Sequence, residues 1–310
     1  SGAGKERGGT RNPMTRWWSF METFLKMLET QSILFVYMAV GYYCRKVNIF
    51  SDEMRARLTD FTVMITLPCM VFKSFLMEFS MDALIQGGVA LLYATGMDEE
   101  DLKKPFVAVI GSFSEMVPGH AHLQELAEQV CQGVIEAGGV PRRSETIAIC
   151  DGLCQGHKGM RYPLASRDLI ADSVEMVVEA HHFDAMVLLA GCDKIIPGML
   201  MAAARLNIPT VVVPGGPMLP GNVGGNPLFC SSELREFPGR VEAGIITPEY
   251  MKEAEKITLP TVGSCAHLGT ANSMCMLTEV LGMGIPGSGT APAVSTKRKR
   301  IAKASGRAVM

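Results

Sequence analysis

Residues 185–199 read AMVLLAGCDKIIPGM. The apolar run at 185–190 has the length of a strand and no polar alternation, which predicts a strand buried on both faces of a parallel sheet. Directly after it stand a soft thiol, Cys192, a hard carboxylate, Asp193, and an amine, Lys194. Ligands of open parallel sheets bind beyond the carboxyl ends of the strands. This stretch therefore sets the expected fold class and marks where chemistry is expected.

Outward from it, strands and helices alternate. PFVAVIGSF (105–113), TIAIC (146–150) and TVVVP (210–214) read as further strands. HLQELAEQVCQGVIEAGG (122–139) reads as a helix closed by glycines, and SRDLIADSVEMVVEAH (166–181) as a helix with Ser166 as N-cap. Within the latter, Ile170, Val174, Val177 and His181 recur at helical spacing. GMLMAAARL (198–206) and residues 270–282 read as two more helices. The expected architecture is α/β, a parallel sheet with helices on both faces.

Four strand ends collect the candidates: 111–112, 150–152, 191–194 and 214–217. Asp151 and Asp193 follow consecutive strands, so both carboxylates can face one crevice, a donor set that suits Mg2+. Either aspartate alone is expected to be a helix cap or turn former, and it is the pair on adjacent strand ends that brings the cation reading level with it. Cys192 is too soft for Mg2+, since thiolates select zinc, copper(I) or iron–sulfur clusters. A second thiol, Cys265, lies in GSCAHLGTANSM (263–274), a loop entering the helix at 270–282. Its open backbone N–H groups suit an anionic cluster or substrate. Cys150, Cys154 and His157 spell C-x3-C-x2-H, a zinc-like spacing without a matching second pair. Cys44, Cys69, Cys131, Cys230 and Cys275 fall in apolar runs, expected helices or a loop, where no ligand role is expected. His120 and His122 follow the first strand within reach of the crevice, whereas His181 and His182 close a helix, where the dipole favours positive charge.

The 310 residues carry 29 basic and 31 acidic side chains, a net charge of −2, which gives no general attraction to nucleic acid. Nine cysteines, an odd number in a chain too long to need stapling, point to a reduced, cytoplasmic setting. Residues 1–20 open with the Gly-rich, basic SGAGKERGGTRNPMTR and are expected to be a disordered lead. Composition changes near residue 92. Before it, SILFVYMAVGYYC (32–44), FTVMITLPCMVF (61–72) and ALIQGGVALLY (83–93) are apolar, with Arg45, Lys46, Arg55 and Arg57 between the first two. Two or three apolar helices are expected over 21–92; they are shorter than the roughly 20 residues that span a bilayer, yet flanked as membrane helices are. The alternative is a set of buried core helices. The expected domains are 1–20, 21–92 and 93–310.

Residues 21–80, METFLKMLETQSILFVYMAVGYYC onward, are similar to the start of the auxin efflux carrier-like transporters. That likeness implies membrane association through residues 30–92. It also provides an alternative for the chain, a transporter-derived membrane fragment or an inert fusion product. From about residue 92 to 310 the likeness is to another family. YATGMDEEDLKKPFVAVIGSFSEMVPGHAHLQELAEQV (93–130), IAICDGLCQGHKGMRYPLASRDLIADSVEMVVEAHHFDAMVLLAGCDKIIPGM (147–199) and VGSCAHLGTANSMCMLTEVLG (262–282) resemble the dihydroxy-acid dehydratase and phosphogluconate dehydratase family.

This resemblance implies an α/β N-terminal domain, a homodimer, an iron–sulfur cluster and Mg2+. It also implies dehydration of a 2,3-dihydroxy acid, from the branched-chain amino acid route or a sugar acid, to a 2-keto acid. Residue by residue it assigns Cys192 and Cys265 to the cluster and Asp151 and Asp193 to Mg2+. Lys194 matches a lysine that family members carry as a carbamate, a third oxygen ligand. Soft and hard ligands side by side then make sense, because two metal centres act on neighbouring substrate atoms. The chain departs from the family pattern at Gly119, where [2Fe–2S] members have a cysteine, at Gly191, where Asn is usual, and at Leu259 and Val262, where a C-x-x-C often stands. The cluster type stays open between [4Fe–4S] and [2Fe–2S]. The general base is expected in the family's C-terminal domain, outside these residues, so this chain by itself is expected to be impaired or inactive.

Overall fold

The structure, a computed structural model, describes residues 81–228 and 233–310, with scattered positions between 42 and 66. The expected lead at 1–20 and most of the apolar segments at 32–44 and 61–72 lie outside the described residues. The third apolar segment forms helix α1 (Met81–Ala94). At about 1.5 Å per residue it reaches roughly 21 Å, short of a hydrocarbon core about 30 Å thick. Among the described residues no helix is long and apolar enough to cross a membrane. The expected membrane association through residues 30–92 finds no support among the described residues, and most of that stretch lies outside them.

Leu92–Met310 form one compact unit. Its elements run β1 (Phe106–Gly111), α2 (Leu123–Glu136), β2 (Val140–Glu145), α3 (Asp151–Cys154) and α4 (Tyr162–Ala180). Then come β3 (Ala185–Ala190), α5 (Ile195–Leu206), β4 (Thr210–Pro214) and an antiparallel pair, β5 (Gly221–Val223) and β6 (Asn226–Leu228). Helices α6 (Phe237–Glu242), α7 (Pro248–Ile257), α8 (Thr270–Val280) and α9 (Thr296–Ala308) follow.

The main sheet is parallel throughout, in the order β2-β1-β3-β4. Val109 of β1 lies beside Val187 of β3, which lies beside Val211 of β4. The chain first steps from β1 to β2, then crosses back over β1 to β3 and β4. That reversal places a topological switch point between β1 and β3, where a crevice opens beyond the strand ends. Successive strand residues point to opposite faces. Ala108, Ile110, Met186 and Leu188 pack with α4 and α5 through Ile170, Val174, Ile195 and Met199. Val107, Val109, Val187 and Leu189 pack with α2 and α9 through Leu126, Val130 and Ala302. The apolar run of β3 is thus explained: each of its residues is buried, on one face or the other.

Three boundaries differ from the sequence expectations. The second strand is Val140–Glu145, not 146–150. Among the described residues it is an edge strand, paired with β1 alone, so VPRRSE needs to satisfy one neighbour there. Residues 146–150 run on past the ladder, with Thr146 N–H donating to Gly111 O at 2.9 Å and Ala148 and Cys150 packed on the core. Helix α4 starts at Tyr162 rather than after Ser166, because Pro163 fits the first helical turn, where no N–H partner is needed. Ser166 lies inside the helix, its hydroxyl donating to Pro163 O at 2.7 Å. Helix α5 starts at Ile195, three residues before the expected 198, again with a proline, Pro197, tolerated in the first turn.

Helix α9 was not anticipated. It lies backbone to backbone against α2: a methyl group on Gly133 would strike the Lys303 carbonyl, and one on Gly306 the Val130 carbonyl. Its buried Arg298 donates to the carbonyls of Pro214 (2.7 Å), Ser288 (2.8 Å) and Ala291, tying the helix to the carboxyl end of β4.

Candidate functional site

At the switch point, β3 ends at Ala190 and α5 begins at Ile195, so residues 191–194 form a tight turn beyond the sheet. Ile196 N–H donates to Cys192 O at 3.2 Å and Gly198 N–H to Lys194 O at 3.3 Å, which locks the turn onto the first turn of α5. Facing it is the loop after β1. A methyl group on Gly191 would collide with the Gly119 carbonyl, and one on Gly119 would sit 2.9 Å from the Cys192 sulfur. The two departures from the family pattern at Gly119 and Gly191 are therefore one packing event. Without side chains at either position, the loop closes directly over the Cys192 turn.

A cavity of about 250 Å3 opens here, lined by Cys150, Asp151, Cys192, Asp193, Cys265 and His267 together with the first residues of α8. Four of the expected site residues, Asp151, Cys192, Asp193 and Cys265, thus line one cavity. Lys194 adjoins through the carboxylates, its Nζ 2.6 Å from Asp193 Oδ2 and 3.8 Å from Asp151 Oδ2. Asp193 Oδ1 is buried and takes no hydrogen bond. Burial, a hydrogen bond with Asp193 and that residue's negative charge raise the Asp151 carboxyl above its ordinary value, and Lys194 only partly opposes them. One ammonium does not neutralise two carboxylates.

The thiols form the other half. Cys192 donates to the Cys150 sulfur, and this bond lowers the Cys150 thiol to about 6 against the opposing effect of burial. Cys192 moves the other way, well above the usual thiol range: the bond to Cys150 holds its proton, and burial and the charges of Cys150, Asp193 and Cys265 add to this. Cys265 is exposed at the cavity mouth. Thr270 and Ala271, which open α8, also line the cavity. That end of a helix favours negative charge.

The remaining sequence candidates are placed elsewhere. The C-x3-C-x2-H reading separates: Cys150 turns to the cavity, while both His157 ring nitrogens are engaged locally, with Leu153 O and Gly159 N–H, each at 3.0 Å. His120 does not line the cavity. It is fully buried, donates Nδ1–H to Ser112 O at 2.7 Å, and is lowered to about 4 chiefly by burial. His122 donates Nε2–H to Gly215 O at 2.9 Å and is likewise lowered by burial. His181 bonds Val177 O at 2.8 Å, within its own helix. Sequence reasoning missed Cys150 as a partner of Cys192, although it directly precedes Asp151. It also missed His267 and Asn272, which lie two and seven residues after Cys265.

The donor set fits the two groups expected. An orphaned buried carboxylate oxygen beside a second carboxylate suits a hard cation that completes its shell with water and substrate. Among the described residues no three His, Cys, Asp or Glu side chains converge as the ligands of a single ion. Three thiols lining one cavity are donors of the kind that would hold an iron–sulfur cluster.

The fold is thus a parallel α/β unit that brings thiols and carboxylates together at its switch point. The sequence profile described as dihydroxy-acid/6-phosphogluconate dehydratase N-terminal matches residues 104–310. The dihydroxy-acid dehydratase of Halothermothrix orenii is 55% identical over 221 residues, covering 71% of this chain and 40% of that protein. Those of Desulfitobacterium hafniense and Carboxydothermus hydrogenoformans are each 51% identical, over 221 and 233 residues, covering 39% and 42% of those proteins. The chain belongs to the dihydroxy-acid/6-phosphogluconate dehydratase family and spans about two fifths of the length of the curated relatives it matches. The likeness of residues 21–92 to auxin efflux carrier-like transporters finds no support in these comparisons.

Proposed function

We propose that this chain is the cofactor-binding part of a hydro-lyase that dehydrates a 2,3-dihydroxy acid to a 2-keto acid. The observation that carries this is the single cavity into which Cys150, Cys192 and Cys265 bring sulfur and Asp151 and Asp193 bring oxygen. Cys192 and Cys265, joined by Cys150, would hold an iron–sulfur cluster; Asp151, Asp193 and a carbamate on Lys194 would hold Mg2+. Bound there, the cluster would supply a Lewis-acidic iron for the departing hydroxyl and Mg2+ a cation for the other substrate oxygens.

The protein's own residues have distinct tasks in this reading. Asp151 and Asp193 bring carboxylates to the cavity lining, their charge relieved in part by Lys194. The opening turn of α8, which also lines the cavity, offers N–H groups to an anionic substrate. As an amine, Lys194 donates to Asp193; as a carbamate, it would become an acceptor and leave both carboxylates to the cation. A homodimer is part of the proposal, and the substrate is either a branched-chain dihydroxy acid or a sugar acid.

The test is calorimetric binding of 2,3-dihydroxy-isovalerate and of gluconate to the anaerobically reconstituted, Mg2+-loaded chain, with 2-keto acid measured in parallel. Binding of either acid that is lost in Asp151→Asn and Asp193→Asn is the expected result. Failure of the loaded chain to bind both acids contradicts the proposal.

A further inference from the structure

Cys265 and His267 reach the cavity from residues 265–269, a segment between two fixed points. On one side Ser264 is pinned: its N–H donates to Gly216 O at 2.9 Å and its carbonyl accepts from Met218 N–H at 2.8 Å. On the other, α8 begins at Thr270. Cys265, His267 and Leu268 are all exposed, so little packing holds the segment. One buried side chain bridges it. Asn272, in the first turn of α8, donates from Nδ2 to Cys265 O and to His267 O, each at 2.7 Å, and its Oδ1 accepts from Ser264 Oγ at 2.8 Å. Both amide protons and the amide oxygen are used, and every partner lies in the 264–267 stretch. A planar amide with three bonds in one direction fixes the path of the chain as well as filling space.

We propose that Asn272 is a positioning residue: its amide fixes the carbonyls of Cys265 and His267, and so sets where their side chains enter the cavity. This deepens the proposed function and rests on that reading for the use made of Cys265. The geometry itself needs no cofactor. Aspartate has the same shape as asparagine but no donors, so Asn272→Asp leaves two carbonyl oxygens facing a carboxylate. Asn272→Ala removes all three bonds.

Hydrogen–deuterium exchange on the full, metal-free chain tests this. The Gly269 amide, which donates to His267 O at 2.9 Å, is expected to exchange about tenfold faster in both variants than in the parent, because Asn272 no longer holds that carbonyl in place. Amides of β3 are expected to be unchanged. Asn272→Asp exchanging within twofold of the parent at Gly269 would reduce Asn272 to a space-filling role and overturn the proposal. A parallel rise in β3, meaning general loosening, overturns it as well. A parent chain that binds no cluster would instead sink the proposed function, with the exchange result standing.

Discussion

Lys194 Nζ lies 2.6 Å from Asp193 Oδ2, and the other oxygen of the same carboxylate is buried with no partner. The ammonium occupies half of the group it neutralises. Lys194→Ala is therefore expected to destabilise the Mg2+-free chain by about 1.5–3 kcal/mol, the range for hydrogen bonds to charged groups. Mg2+ should restore much of this loss. Urea denaturation with and without Mg2+ measures it, and a variant as stable as the parent in both conditions would contradict the arrangement.

Asp151 carries the other half of the excess charge. Its carboxyl is raised above 3.8, so the folded chain holds that proton more tightly than the unfolded one. The stability this contributes is present below 3.8 and is lost as pH rises through the raised value. Without Mg2+, Asp151→Asn is expected to be at least as stable as the parent at neutral pH, with the difference disappearing in acid. Saturating Mg2+ should reverse the order, since about 2.7 kcal/mol accrues to the parent at a hundredfold excess over Kd. Denaturation at the two pH values checks both signs; a destabilised variant at neutral pH without Mg2+ would refute them.

The bond from Cys192 lowers the Cys150 thiol from 9.0 to about 6. In the metal-free chain, iodoacetamide labelling of Cys150 should rise with a midpoint near that lower value. Cys192→Ala should move the midpoint up towards the ordinary thiol range. Peptide mapping across pH reads the result, and an ordinary midpoint in the parent would remove Cys150 from the constellation.

Gly191 packs against the Gly119 carbonyl with no room for a methyl group. Gly191→Ala is expected to cost about 1–3 kcal/mol by overpacking. Gly119→Ala meets only the end of the Cys192 side chain and should cost less. Thermal melts of the two variants compare them, and equal stability to the parent for Gly191→Ala would contradict the loop closure.

The legible parts of the sequence were those where burial and apolar letters coincide. Strand β3 is buried at every position and reads as AMVLLA, so its ends and the turn after it were visible. Edge strand β2 was hidden, because VPRRSE needs to satisfy only one neighbour while the apolar TIAIC beyond it packs without pairing. Helix α9 was hidden because the positions it buries include Arg298, Ser305 and Gly306. Arg298 is buried by bonding three carbonyls, contacts that no periodicity in the chain announces. In the site, Asp193 and Cys192 were readable from their place at a strand end. The pairing of Cys150 with Cys192 was not, since it arises only when the stretch after β2 folds back across the end of β1.

The most direct measurement is anaerobic reconstitution of the chain with iron and sulfide, followed by iron and sulfide determination and visible absorption, for the parent and for Cys192→Ser, Cys265→Ser and Cys150→Ser. The account predicts a cluster with stoichiometric iron and sulfide in the parent and its loss or marked weakening in each variant. A parent that takes up no cluster, or variants that all load like the parent, would contradict it.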